Sequence, residues 1–307
     1  MAYVLGKNIL ATVTYYDVLD FPVTSFEIWK HLISYDRDTV GHNTACSLDA
    51  VEAALPSVLL SGKLVEKNGF YTLPGREVLI QERIQKEKIS VQKLKGMKRL
   101  ARLIACVPYV RMVGATGSLA MKHGSVKSDW DMFVVLASGR IWIGRTLLTG
   151  FLHLIGKRRH GRKIVDRACL NYFVTDENLE IGTKDLYSAH EYRFIIPLLN
   201  AKMFQKFELA NTWIQKYKPN MLPASLSNRF LVAPNRFTSF VQSLLEKLFD
   251  FFSLESWLRS WQQVKIERNP NTRLEGSLIE ATDRALIFLP HPRGPRVFEK
   301  FKERFSA

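Results

Sequence analysis

Cysteine is scarce in this sequence and acid is outnumbered. Three cysteines in 307 residues, Cys46, Cys106 and Cys169, are too few and too far apart for a disulfide scaffold, and no Cys-x-x-Cys pair is present to hold zinc. They read as buried thiols of a reducing compartment. With 29 Asp and Glu against 44 Lys and Arg, the net charge of +15 favours polyanionic partners; charge alone does not choose among nucleic acid, nucleotide phosphates and an anionic membrane surface. Long hydrophobic runs are missing too. The most apolar stretch, Ile141 to Ile155, is interrupted by Arg145 and falls short of the roughly 20 residues that span a bilayer, so it reads as a buried helix and no membrane partner is expected. Met1 to Asn8 carries neither the basic segment nor the apolar run of a secretory signal, which gives a cytoplasmic expectation. Repeats and disorder-prone composition are also absent, and a 47% hydrophobic content suffices for two or three compact units.

What is present begins with helical periodicity. Ile9, Val13, Tyr16 and Leu19 recur at helical spacing until Asp20-Phe21-Pro22, and Thr24 with Glu27 three residues later forms a capping box that opens a second helix. After a loop rich in Asp, Thr, Gly and Asn, a third helix runs through Val51, Leu55 and Val58 to Gly62. Lys63 to Leu73 then reads as two short strands around Asn68-Gly69, a strong hairpin signal. Three helices and a hairpin predict a winged helix-turn-helix over 1–76. Its Leu48 to Ser61 helix would be the DNA-reading one, yet it holds Asp49 and Glu52 and no cation, which favours packing or protein contact over groove entry. Residues 77–106 read as one long connector helix with an apolar stripe from Ile80 to Ile104 and a basic face, including Arg83 and Lys93, that reads as solvated or as tracking phosphates.

The chemistry-bearing segment follows, over 107–184. Tyr109 to Thr116 is strand-like, Gly117-Ser118-Leu119-Ala120 turns it into a short helix, and a polar loop leads to Asp129-Trp130-Asp131 at the head of an apolar strand. At period two, Asp129 and Asp131 share one face, where they repel unless a cation lies between them; Mg²⁺ (or Mn²⁺) suits such a pair. Gly117 keeps side chains away from phosphate oxygens, the helix start offers free N–H groups, and Ser118 adds a hydroxyl. Gly117, Ser118 and Lys122 form the expected nucleotide-binding set. Gly114 to Ala120 also fits a dinucleotide-binding glycine pattern, but there the acid ends the second strand about 20 residues on, whereas here two acids begin it.

These residues resemble the nucleotidyltransferase superfamily typified by DNA polymerase beta, kanamycin nucleotidyltransferase and the minimal antitoxin-type transferases, whose signature is a strand, Gly-Ser, a spacer and Asp-x-Asp with apolar followers. The likeness covers about Val107 to Asp176. Over most of the chain, less specifically, the layout is similar to bacterial nucleotidyltransferase-domain proteins with an amino-terminal winged helix. The resemblance implies an α+β fold with a central mixed sheet and flanking helices. It also implies Mg²⁺-dependent transfer of a nucleoside monophosphate from a nucleoside triphosphate to an unidentified hydroxyl, on nucleic acid, protein or a small molecule, with pyrophosphate leaving. Asp129 and Asp131 would hold the metal.

Active members usually add a third carboxylate from a later strand. Here that strand is Arg167 to Val174, which contains no acid. Asp166, just before it, is the first candidate for the catalytic base, Asn171 stands where a carboxylate is expected, and Glu191 is next in line. Without a third acid, the alternative is a non-catalytic nucleotide-sensing or antitoxin-like module that docks DNA or protein. Lys157 to Lys163, the densest cationic run, reads as a solvated loop or a phosphate clamp, and His123 sits in the spacer. Residues 185–307 read as helical, with His190 a packed or capping histidine. Phe240 to Trp261 is more apolar than one core-facing stripe requires, so part would bury against a neighbouring copy of the chain, and a short amphipathic helix closes the sequence from Val297 to Phe305.

Overall fold

The computed structural model describes residues 2–36, 39–40, 45–220, 229–233, 235–252 and 254–306. The amino-terminal unit starts with α1 (Ala2–Val18), which ends before Pro22. Next come β1 (Val23–Thr24) and α2 (Ser25–Lys30), started by the expected capping box, with Thr24 accepting from the Glu27 N–H and Glu27 accepting from the Thr24 N–H at 3.0 Å. Two short strands, β2 (Tyr35–Asp36) and β3 (Thr39–Val40), pair with each other, and most of the polar loop after them lies outside the described residues. Then α3 (Leu48–Leu60), capped by Ser47, leads into the hairpin β4 (Val65–Lys67) and β5 (Phe70–Thr72), which turns at Asn68-Gly69 with both residues at positive φ. β5 also pairs with β1.

The connector is α4 (Val78–Ile104). Its apolar stripe packs as expected, but the basic face is not uniformly solvated: Arg83 and Lys93 are 6% and 8% exposed. Arg83 pairs with Glu27 at 2.5 Å and lies over the Phe21 ring, and Lys93 pairs with Asp166 at 2.8 Å. These two cations staple α4 to its neighbours and are not presented to a polyanion.

The central sheet is built on β6 (Val110–Ala115), β7 (Trp130–Leu136) and β8 (Ala168–Thr175), with the one-turn helix α5 (Gly117–Ala120) after β6 and α6 (Ile141–Leu154) between β7 and β8. β6 and β7 are antiparallel, β7 and β8 parallel. Alternation along β7 sorts its side chains. Trp130, Met132, Val134 and Leu136 join the core under α4 and α6, while Phe133 and Val135 join a second core on the other face.

The region expected to be wholly helical from 185 onward is not. It contains α7 (Leu186–Arg193), α8 (Ala201–Ala210), α9 (Arg236–Phe251), α10 (Glu255–Glu267) and α11 (Gly294–Ser306), but also β9 (Ile196–Leu199), β10 (Leu278–Ala281) and β11 (Ala285–Leu289). All three strands enter the central sheet, whose order is β10-β11-β8-β7-β6-β9. β9 tolerates Pro197 because it is an edge strand, where one missing N–H costs no ladder bond on its free side. The central unit therefore does not end at 184. The tail does not stay with it either: Phe301 of α11 is fully buried in the core of α1 to α3, and Arg304 pairs with Asp17 of α1.

The apolar stretch from Phe240 is two helices. α9 is held by its polar face, where Gln242 donates to the Val107 and Val110 carbonyls at 2.9 Å and Glu246 accepts from the Tyr109 N–H and from Arg111, both at 2.7 Å. Its apolar stripe of Phe237, Phe240, Leu244, Leu248 and Phe251 therefore faces outward. No helix of the described residues is long and apolar enough to cross a membrane.

Candidate functional site

Between β6 and α5 the chain turns at Gly117, with φ +66. Glycine is required there twice over: L side chains rarely adopt that φ, and a Cβ would lie 2.6 Å from Asp131 Oδ2. The turn thus lies directly against the second carboxylate, and the Thr116 N–H donates to the Asp131 carbonyl at 3.1 Å. Asp129 immediately precedes β7 and Asp131 is its second residue, so one strand end presents both acids on the face opposite Trp130. Parallel pairing with β8 sets Cys169 in register with Asp131. Ligand atoms of Asp129, Asp131 and Cys169 lie within 4.8 Å of one another.

The electrostatics follow from this crowding. Burial first, then Asp129 and Glu191, push the Asp131 carboxyl up to about 7. Burial and the two aspartates likewise push the Cys169 thiol up to about 12, which keeps it neutral. Arg159 answers part of the negative charge, donating to Asp129 Oδ2 at 2.6 Å and to Cys169 Sγ at 3.3 Å. The donor set fits a hard divalent cation through its carboxylates and not through a neutral thiol. Asn171 lines the same cleft with its side-chain oxygen buried and without a hydrogen-bond partner among the described residues, so an amide carbonyl is also free to ligate.

The cleft has a volume of about 1620 Å³ and takes in Gly117, Ser118, Asp129, Asp131, Cys169 and Glu191. Two expected residues are elsewhere. Asp166 accepts from Lys93 at 2.8 Å and from the Trp130 indole at 3.1 Å, on the α4 side of the sheet, away from the face that carries Asp129 and Asp131. It neutralises a buried lysine. Lys122 points back along the surface to Glu87 at 3.0 Å and does not line the cleft. The helix start expected to cradle phosphate is a single turn, which leaves the local N–H groups and the Ser118 hydroxyl as donors in place of a helix dipole.

Other residues arrive from outside the motif. Glu191, on α7, accepts from the Thr116 hydroxyl at 3.4 Å beside the Gly117 turn. Arg293, in the link from β11 to α11, also lines the cleft and acts on Asp131 from the opposite sign, and Gly294 packs against Tyr187. Sequence spacing gives no sign of Arg293, since α11 folding back onto α1 is what brings it near. His123 does reach the cleft, but burial and Lys86 hold its imidazole down to about 4, so it is neutral. His190 is buried against Tyr15 and Tyr16 as a packed histidine. No family model matches the chain, and neither a curated protein nor a solved structure matches it.

Proposed function

We propose that this chain is a divalent-metal-dependent nucleotidyltransferase, with the central sheet as its nucleotidyltransferase-like core and residues 1–76 as a winged helix-like accessory unit. The observation that carries the reading is the Gly117 turn against Asp131, with Asp129 beside it. The glycine lets the turn lie directly against one of two same-face carboxylates, which burial and its neighbours hold up to about 7. Asp129 and Asp131 would hold Mg²⁺ or Mn²⁺, with the Asn171 oxygen available as a third ligand, and the ion would neutralise the phosphates of a bound triphosphate. Gly117 and Ser118 hold those phosphates through N–H and hydroxyl donors, and Arg159 and Arg293 add charge from the two sides.

In the transfer, the acceptor hydroxyl oxygen bonds to the α-phosphorus, the bond from that phosphorus to the bridging oxygen breaks, and pyrophosphate leaves with the electron pair. The acceptor proton passes to a carboxylate. Glu191 takes that task in place of Asp166, because it lies in the cleft beside Thr116 whereas Asp166 is spent on Lys93. Glu191→Gln should lower pyrophosphate release by roughly two to four orders of magnitude and leave triphosphate affinity nearly unchanged. Release at the wild-type rate would remove Glu191 from the mechanism. A second reading, nucleotide sensing without turnover, is favoured by one observation: the residue of β8 in register with Asp131 is Cys169, not an acid.

A further inference from the structure

The cleft does not end at the carboxylates. It continues to a wall formed by α6 and α10, where Arg145, Thr149 and His153 on one helix and Trp261 and Lys265 on the other recur every four residues and so share one face of each. The acids of the cleft are confined to one part of it. Its acids, Asp129, Asp131, Asp185 and Glu191, stand at the head of β7 and on or beside α7, and the α6–α10 wall contributes no carboxylate.

Three cations on that side have no carboxylate partner among the described residues. Arg145 donates to the side-chain oxygen of Gln262 and lies 4.7 Å over the Phe288 ring; Arg158 donates only to the Arg159 and Ala168 carbonyls; Lys265 sits 5.3 Å over the Trp261 ring. Burial, and then Arg158, lowers Arg145 to about 10, so it remains charged at neutral pH. Arg145 and Arg158 are half-buried, and half-buried cations without counterions cost free energy that an arriving anion recovers; Lys265 is exposed and adds its charge at the rim.

Beside them stand two exposed indoles. Trp257 and Trp261 are 65% and 49% exposed, with ring planes within 4° of parallel and centroids 6.4 Å apart. Large aromatic faces left in water next to unpaired cations match the grooves that bind single strands, where bases stack on aromatic rings and cations track the phosphates. An apolar protein or lipid surface would extend over the α9 stripe of Phe237, Phe240, Leu244, Leu248 and Phe251 as well; the strand needs only the Trp, Lys and Arg wall.

We propose that the α6–α10 wall binds single-stranded nucleic acid, a base lying on Trp261 and backbone phosphates on Arg145, Arg158 and Lys265, so that the strand leads its terminal hydroxyl toward Asp129 and Asp131. Its role as acceptor rests on the nucleotidyl-transfer reading; the binding itself does not.

The test is fluorescence anisotropy of the full chain with a labelled RNA strand of about 12 nucleotides and with the matched duplex, in the absence of metal and triphosphate. The wild type should bind the strand more tightly than the duplex and more tightly as salt falls. Trp261→Ala should weaken strand binding by roughly 5- to 150-fold, the range for one stacked base. Lys265→Met and Arg145→Met should each weaken it and lower the salt slope by about 0.7. Phe240→Ser on α9 should leave it unchanged. The proposal is overturned if the wild type does not bind the strand, if the duplex binds equally well, or if both Trp261→Ala and Lys265→Met bind as the wild type does. It is also overturned if Trp261→Ala abolishes vesicle binding or self-association while strand binding persists. Strand binding with the expected pattern, but no pyrophosphate released from any triphosphate, would uphold this wall and remove the transferase reading alone.

Discussion

Gly117 and Asp131 are a matched pair, each making the other's position tenable. A methyl group at 117 meets a carboxylate oxygen at 2.6 Å and must also adopt φ +66, so Gly117→Ala should cost roughly 1–3 kcal/mol, as expected for a side chain forced into a sparsely populated backbone region. Chemical denaturation reads this directly, and an unchanged midpoint would show that the turn can relax. The reverse holds for Asp131. Its ionised form is opposed by burial, Asp129 and Glu191, so Asp131→Asn should unfold no more easily than the wild type while losing metal-triphosphate affinity. Residue by residue, the motif was legible: Gly117, Ser118, Asp129 and Asp131 converge because strand, turn and strand are local. Asp166 and Lys122 misled because sequence proximity to a motif does not say which face a side chain takes. Lys93 and Glu87, both on α4, claim them.

At the level of elements, α1 to α4 and β6 to β8 could be read from periodicity, caps and the Asn68-Gly69 turn. β9 and the β10–β11 hairpin could not be separated from helix on the same grounds. Ile196 to Leu199 continues the apolar spacing of α7 without interruption apart from Pro197, and Leu278 to Ala281 carries a charge, Glu280, in a strand of four. The run Ala285 to Leu289, bounded by Pro290, was the available strand signal. Asp166, placed just before β8, acts at this scale as the tie between β8 and α4. Asp166→Asn leaves the Lys93 ammonium buried with only the Val126 and Ser128 carbonyls, and should cost about 2 kcal/mol, less than a fully buried pair because Asp166 is half-exposed. Triphosphate affinity should not change. If instead stability holds and turnover collapses, Asp166 is catalytic after all.

Across the whole molecule, the two units are coupled by chain ends. α11 returns to α1, and Lys218 is fully buried in the amino-terminal core, over the Tyr15 and Tyr16 rings and donating to the His31 carbonyl at 3.2 Å. Burial, then Arg193, holds its ammonium down to about 7, and burial also lowers His31 and His190. Unfolding restores ordinary values. From about pH 7 to the ordinary lysine value near 10.4, the unfolded chain therefore binds a proton that the folded chain does not, and stability rises with pH. The histidines give the same sign, with stability falling as pH drops through about 6.5. Urea midpoints should rise between about pH 7 and pH 9, and Lys218→Met should flatten that rise. An undiminished slope in the variant would assign the dependence to other groups.

The central claim is that Asp129 and Asp131 bind a metal-bound triphosphate at the Gly117 turn, and calorimetric titration of each nucleoside triphosphate with and without Mg²⁺ tests it most directly. The expected result is binding that requires the divalent ion and is lost in both Asp129→Asn and Asp131→Asn, with each variant folded. Binding of equal strength without the ion, or in either variant, would contradict it.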